Sequence, residues 1–187
     1  AIIYAQANNA EYNGGSGDPG GDAKVEHPTF GTEVRETWGG TVCNSYDTER
    51  ESGGSSSGSA VSVSTNLVMC SICESTGGSC RYPASLNSVV NFMPTKGMIS
   101  FGGGIGANPY TDRAGIQCRT VKDAATVLDA FRDTGTGYFD ARDPYTALPR
   151  VIASKTSYRS AVTPAGTSQP LAGMRIGVVR EFMVKHT

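Results

Sequence analysis

Apolar positions along this chain follow two patterns, one with the period of a helix and several that run unbroken for a few residues. The helical pattern is "TVKDAATVLDAF" (120–131), where Val121, Ala124, Ala125, Leu128 and Phe131 keep the 3–4 spacing of one buried face. Thr120, followed three residues later by Asp123, supplies a capping pair at its start. Unbroken runs predict strands at "AIIYA" (1–5), "LVMCSIC" (67–73) and "MRIGVVREF" (174–182). "SVVNFMPTKGMISF" (88–101) predicts a short apolar segment, a break at Pro94 and a further strand. Residues 57–67 predict a helix of small residues, with Ser55 or Ser56 near its N-cap. "QANNAEYN" (6–13) reads as a helical turn or loop, and "TGGSCRYPAS" (76–85) as a turn ended by Pro83. Strands and helices alternate, so the fold class is α/β.

Length changes this picture little: 187 residues suit one domain with a real core. Residues 14–50, with "GGSGDPGGD" at their extreme, read as a surface excursion, and 132–170 as a polar, Pro-punctuated linker. A net charge of −1 gives no electrostatic reason for nucleic acid or a membrane surface as partner. No apolar run approaches the length of a membrane span. The N-terminal residues lack a basic n-region, which points to a cytoplasmic protein. They also start apolar, as if a strand were entered in mid-fold, so a fragment of a longer chain is expected. Five cysteines (Cys43, Cys70, Cys73, Cys80 and Cys118) are an odd number, and without an export signal they are expected to be thiols acting as small hydrophobes. Cys70 and Cys73 form a C-x-x-C, but no second ligand pair accompanies them, so no metal is expected.

The serine-rich stretch "ESGGSSSGSAVSVS" (51–64) admits three kinds of chemistry. A phosphate cradle fails, because Ser59 and Ala60 follow Gly58 where a Lys and a Ser/Thr are needed. "GGGIGA" (102–107) fits a dinucleotide glycine pattern, but Pro109 spoils the helix that should receive the pyrophosphate. A nucleophile elbow fits Gly54-Ser55-Ser56-Ser57-Gly58, yet the polar "YDTERES" before it is no buried strand. Its base would have to be His27 or His186, and a Ser56/His186 esterase stays open as the alternative. A serine relay explains more: a second glycine turn, "STGGS", ends at Ser79, 24 positions after Ser55. Gly77 and Gly78 let backbone N–H groups converge on one point, as an oxyanion hole requires.

"GGSSSGSA", the 24-residue spacing, "TGGSCRYPAS" and "VVNFMPTKG" together resemble the amidase signature family. "YDTERESGG", "DRAGIQCRTVKDAATVLDAF" and "LAGMRIGVVREF" resemble the segments that flank its signature. The resemblance implies a mixed β-sheet core covered by helices, with residues 1–187 part of a single domain and 52–100 its signature core. It implies amide hydrolysis through a serine acyl-enzyme, with Ser79 as nucleophile and Ser55 as bridging serine on a cis bond after Gly54. Thr76, Gly77 and Gly78, with Ser79, would form the oxyanion loop, while Arg81 and Ser56 support the site. No cofactor or metal is implied. The implied partners are a small-molecule amide and the remaining part of the polypeptide or a partner chain, with a homo-oligomer left open.

Departures accompany the match. Met93 stands where the family has a lysine, and Glu74-Ser75 where many members have Thr-Asp. The family's catalytic lysine lies upstream of anything matching Ala1. Lys24, Lys96, Lys122, Lys155 and Lys185 do not occupy its place, so the base is expected outside this chain and the segment alone is expected to be inactive. A catalytically silent relative is the other alternative.

Overall fold

The computed structural model describes residues 2–10, 35–36, 39–106, 108–131, 139–147 and 156–180. Two short strands, β1 (Arg35–Glu36) and β2 (Gly40–Thr41), pair antiparallel. Then follow α1 (Ser57–Ser64), β3 (Cys70–Ser75), α2 (Arg81–Leu86), β4 (Val90–Phe92), β5 (Arg113–Cys118) and α3 (Val121–Phe131). Short 3-10 turns at Pro144–Ala147 and Arg159–Ala161 close the described part.

The main sheet has the order β3-β5-β4. β5 runs antiparallel to both neighbours, from Cys70↔Cys118 to Ser75↔Arg113 on one side and from Val90↔Cys118 to Phe92↔Ile116 on the other. β3 and β4 therefore point the same way. Alternation divides β5 between two faces. Ala114, Ile116 and Cys118 form a core with Ile99 and with Ala124 and Leu128 of α3. The other face, through Gly115 and Gln117, meets Cys80 at the start of α2. Helices thus cover both faces of the sheet, an α/β arrangement.

α3 follows its sequence pattern closely. Ala124, Ala125 and Leu128 are buried, while Val121 and Phe131 at its ends are 56% and 46% exposed. Thr120 Oγ1 accepts the Asp123 N–H at 3.1 Å and donates to the Asp123 carboxylate at 2.6 Å, closing the expected cap.

Several expectations need correction. Residues 2–5 are exposed and form no strand, and Met174–Arg180 likewise form none, with residues 181–182 outside the described residues. A strand needs a ladder partner, and among the described residues nothing pairs with either segment. After Pro94 the chain turns instead of forming the expected strand, and the next strand, at Arg113–Cys118, is one that the apolar pattern did not predict. Pro83 does not end a turn: it occupies the first turn of α2, where a missing N–H leaves no hydrogen bond unmade. The thiol reading fails for four cysteines, because Cys70–Cys118 and Cys73–Cys80 are disulfides and only Cys43 is free. The first pair follows from register, since Cys70 and Cys118 face each other across β3 and β5.

Parts of the excursion and the linker are packed. Asn44 is buried and donates from its side chain to the Leu86 carbonyl at 2.9 Å. Asp140, Asp143 and Thr146 are buried as well, and Ser100 Oγ and the Phe101 N–H donate to the two carboxylates at 2.8 and 2.9 Å. Residues 14–34, 37–38, 132–138 and 148–155 of these two segments lie outside the described residues, as do 11–13 of the turn or loop expected at 6–13. No helix among the described residues is long and apolar enough to cross a membrane.

Candidate active site

Residues 52–60 are all buried, which accounts for their small side chains. Gly53 has φ +72, a conformation that side chains disfavour, and a Cβ there would stand 3.0 Å from Pro83 N and from Tyr82 Cδ1. Gly58 lies against the passing N-terminal segment: its N–H donates to the Asn8 carbonyl at 3.0 Å, and a Cβ would collide with the Asn8 backbone. The Ala10 N–H donates to the Ser55 carbonyl at 2.9 Å, so the same segment holds the turn itself. The Gly54–Ser55 peptide is cis, as the motif implied.

The three serines of the turn have different surroundings. Ser55 is fully buried, and its hydroxyl has no hydrogen-bond partner among the described residues. Ser56 Oγ is occupied twice, accepting the Glu74 N–H at 3.1 Å and donating to the Glu74 carbonyl at 3.0 Å. Ser57, also buried, opens α1.

The second turn meets the first directly, because the Ser56 N–H donates to the Ser79 carbonyl at 3.1 Å. Gly77 and Gly78 are exposed, and a Cβ on either would meet nothing within 4 Å. Ser79 and Thr76 are half-buried. The Arg81 guanidinium donates to the Gly77 carbonyl, so it braces the turn through backbone. The Tyr82 N–H donates to the Gly78 carbonyl at 2.8 Å. The Tyr82 hydroxyl donates to the Glu51 carboxylate; burial, then Glu51, pushes its pKa up to about 12.

Residues that the sequence did not single out hold these turns in place. Asn87, fully buried, donates to the Ser52 and Pro83 carbonyls at 2.8 and 2.9 Å, tying the first turn to α2. Its side-chain oxygen accepts the Ser45 N–H at 3.1 Å. The Cys73–Cys80 disulfide fastens the residue after Ser79 to β3. Glu74 is half-buried, and its two carboxylate oxygens are buried with no hydrogen bond of good geometry among the described residues; burial, and then Asp112, raise its pKa against a smaller lowering by Thr76.

A buried turn of small residues, joined through backbone to an open glycine turn, is a pattern found in acyl chemistry. The Amidase family model matches residues 19–187. The chain belongs to this family. It is 36% identical over 165 residues to a glutamyl-tRNA(Gln) amidotransferase subunit of Azoarcus sp. (strain BH72), covering 88% of this chain and 32% of that protein. The protein of the same name from Cellvibrio japonicus (strain Ueda107) is 33% identical over 162 residues, covering 87% and 31%. Among solved structures, native peptide amidase from Stenotrophomonas maltophilia matches with a TM-score of 0.64 at 32% identity, over 82% of this chain and 28% of that one. The corresponding glutamyl-tRNA(Gln) amidotransferase subunit from Thermotoga maritima matches with a TM-score of 0.57 at 34% identity, over 78% and 27%. This amidase-family chain thus spans about a third of the length of the curated relatives it matches.

The elbow alternative gains nothing from the geometry. Ser56 Oγ is engaged on both sides by the Glu74 backbone, and His27 and His186 lie outside the described residues. Lys96 Nζ donates to the Asp112 carbonyl at 2.5 Å and lies 4.6 Å from the Tyr145 ring centroid; Lys122 is exposed on α3. Lys24, Lys155 and Lys185 lie outside the described residues. No group of three or more metal-ligating side chains occurs among the described residues.

Proposed function

We propose that this chain carries the serine part of an amide-hydrolysing centre, with Ser79 as nucleophile and Ser55 as its proton relay. The observation that supports this reading best is the direct hydrogen bond joining the two turns, Ser56 N–H to Ser79 carbonyl, beside a buried Ser55 hydroxyl with no partner among the described residues. A hydroxyl buried without a partner costs free energy, and a transferred proton is a reason to keep it.

In this mechanism Ser79 Oγ attacks the acyl carbon of an amide and gives its proton to Ser55 Oγ. Ser55 passes its own proton to a lysine supplied from outside residues 1–187. The N–H groups of Thr76, Gly77, Gly78 and Ser79 stabilise the oxyanion, and Arg81 keeps that turn in shape through the Gly77 carbonyl. Collapse breaks the C–N bond, the amine leaves with the relayed proton, and water hydrolyses the acyl-enzyme. The substrate is a small molecule bearing an amide. The rest of the site comes from further polypeptide, covalently continuous or as a partner chain, in keeping with relatives named as subunits.

The test uses the intact protein and a fluorophosphonate that reacts with activated serines. Labelling should map to Ser79, and Ser79→Ala should abolish both labelling and turnover. Ser55→Ala should lower turnover by about 10²–10⁴-fold with unfolding temperature unchanged or raised. Labelling at Ser56 with Ser79 spared would replace this reading by the elbow. An intact protein that neither labels nor turns over amides would be a silent relative.

A further inference from the structure

The sheet face that meets the second turn carries a polar residue at its centre. Gln117 sits in β5, flanked by Ser71 on β3 and Asn91 on β4, and is fully buried. Its Nε2 donates to the Cys80 carbonyl at 2.8 Å, bridging 37 positions of sequence. A carbonyl can only accept, so the NH₂ end of the amide must face it, which fixes the orientation of the side chain. The other end, Oε1, is buried with no partner among the described residues. One neutral hydrogen bond does not outweigh a buried orphan acceptor. An apolar side chain of the same size would hold the sheet at least as well, so stability does not explain glutamine here.

Position does explain it. Cys80 follows Ser79 directly, and its carbonyl, which also accepts the Ala84 N–H at 3.3 Å, belongs to the next peptide along, so what holds that carbonyl limits how the chain leaves the nucleophile. Gly115, two residues before Gln117, leaves room on this face: a Cβ there would stand 2.5 Å from Met93 Sδ, 2.8 Å from Cys73 Sγ and 3.2 Å from Cys80 Sγ. We infer that Gln117 is a positioning residue for the Ser79 turn, holding the Cys80 carbonyl from the sheet centre and so setting the angle at which Ser79 Oγ meets the acyl carbon. The inference rests on the role proposed for Ser79.

Gln117→Met in the intact protein keeps length and bulk while removing the donor and the orphan acceptor together. The expected result is an unchanged or higher unfolding temperature, an unchanged KM, and an acylation rate lowered about tenfold. If that variant does not fold, Gln117→Asn, one methylene too short to reach the Cys80 carbonyl, is judged by the same comparison of rate with unfolding temperature. Wild-type acylation in the variant, with Ser79→Ala inactive, would overturn this inference and leave the nucleophile in place. A rate that falls only in step with unfolding temperature would make Gln117 a packing residue and also overturn it. Activity surviving Ser79→Ala would instead remove the reading beneath it.

Discussion

The turn at 52–58 is buried at every position, whereas the turn it meets, 76–79, is open at Gly77 and Gly78. Both are built from glycine and serine, for opposite reasons. In the first, small residues are required because backbone presses on them: Asn8 against Gly58, Pro83 and Tyr82 against Gly53. In the second nothing is near, and glycine leaves the N–H groups uncovered. A proton relay has to be fixed and dry, while an oxyanion site must admit its substrate. In the roles proposed for the two turns, one residue type meets both needs, through packing in one place and through absence of side chain in the other.

The comparison can be broken at several points. The largest stability effect is expected from the tether between the open turn and the sheet. Replacing Cys73 and Cys80 together by alanine should lower the unfolding free energy by about 2–3 kcal/mol, as for a short disulfide loop. Denaturing alkylation without reductant should label Cys43 alone; labels on Cys73 or Cys80 would contradict the pairing. Next comes Gly58→Ala. Overpacking costs about 1–3 kcal/mol and the bond to Asn8 is put at risk, against a helix-propensity gain of about 1 kcal/mol. Denaturant melts should show net destabilisation, and a stabilised variant would mean that the N-terminal segment does not pack on α1.

A smaller, pH-dependent effect is expected at Glu74, whose pKa is raised from 4.5 by burial and then by Asp112. Between 4.5 and the raised value the folded state binds the proton more tightly than the unfolded chain, so stability falls as pH rises through that window. Glu74→Gln should flatten that slope and melt higher than wild type at neutral pH; an unchanged slope would mean that the carboxyl is solvated. Smallest is Gly78→Ala, which meets no atom and should change stability by less than about 0.5 kcal/mol, while turnover falls because the new methyl group lies on the open side. Equal losses of stability in Gly58→Ala and Gly78→Ala would erase the contrast between the turns.

How much of this was legible in the sequence depended on how local the cause was. The two turns, α1 and α3 were visible because glycine, serine and the 3–4 spacing act over a few residues. The central strand β5 was not, since "RAGIQC" carries Arg113, Gly115 and Gln117 where a buried strand should be apolar. Gly115 and Gln117 make sense against Met93, Cys73 and Cys80, which arrive from other parts of the chain. The disulfides were hidden for the same reason: Cys70 meets Cys118 through strand register. Pro83 reads as an ending because proline breaks a helix interior, whereas in the first turn of α2 its missing N–H costs nothing and its carbonyl is held by Asn87 from further along the chain. The Gly54–Ser55 cis bond was legible only through family resemblance.

Ser56, just before α1, and Ser59 within it also affect how the sheet can grow. Ser56 Oγ takes both the N–H and the carbonyl of Glu74, and Ser59 Oγ donates to the Ile72 carbonyl at 2.9 Å. These backbone groups lie along the margin of β3 that β5 does not use, where an incoming strand from another molecule would otherwise dock. Side-chain hydroxyls at the start of α1 and just before it stand in for that missing strand. Sheet extension by a foreign chain is therefore blocked at these groups of β3, and the segment from Ser56 into α1 guards this edge against edge-to-edge association.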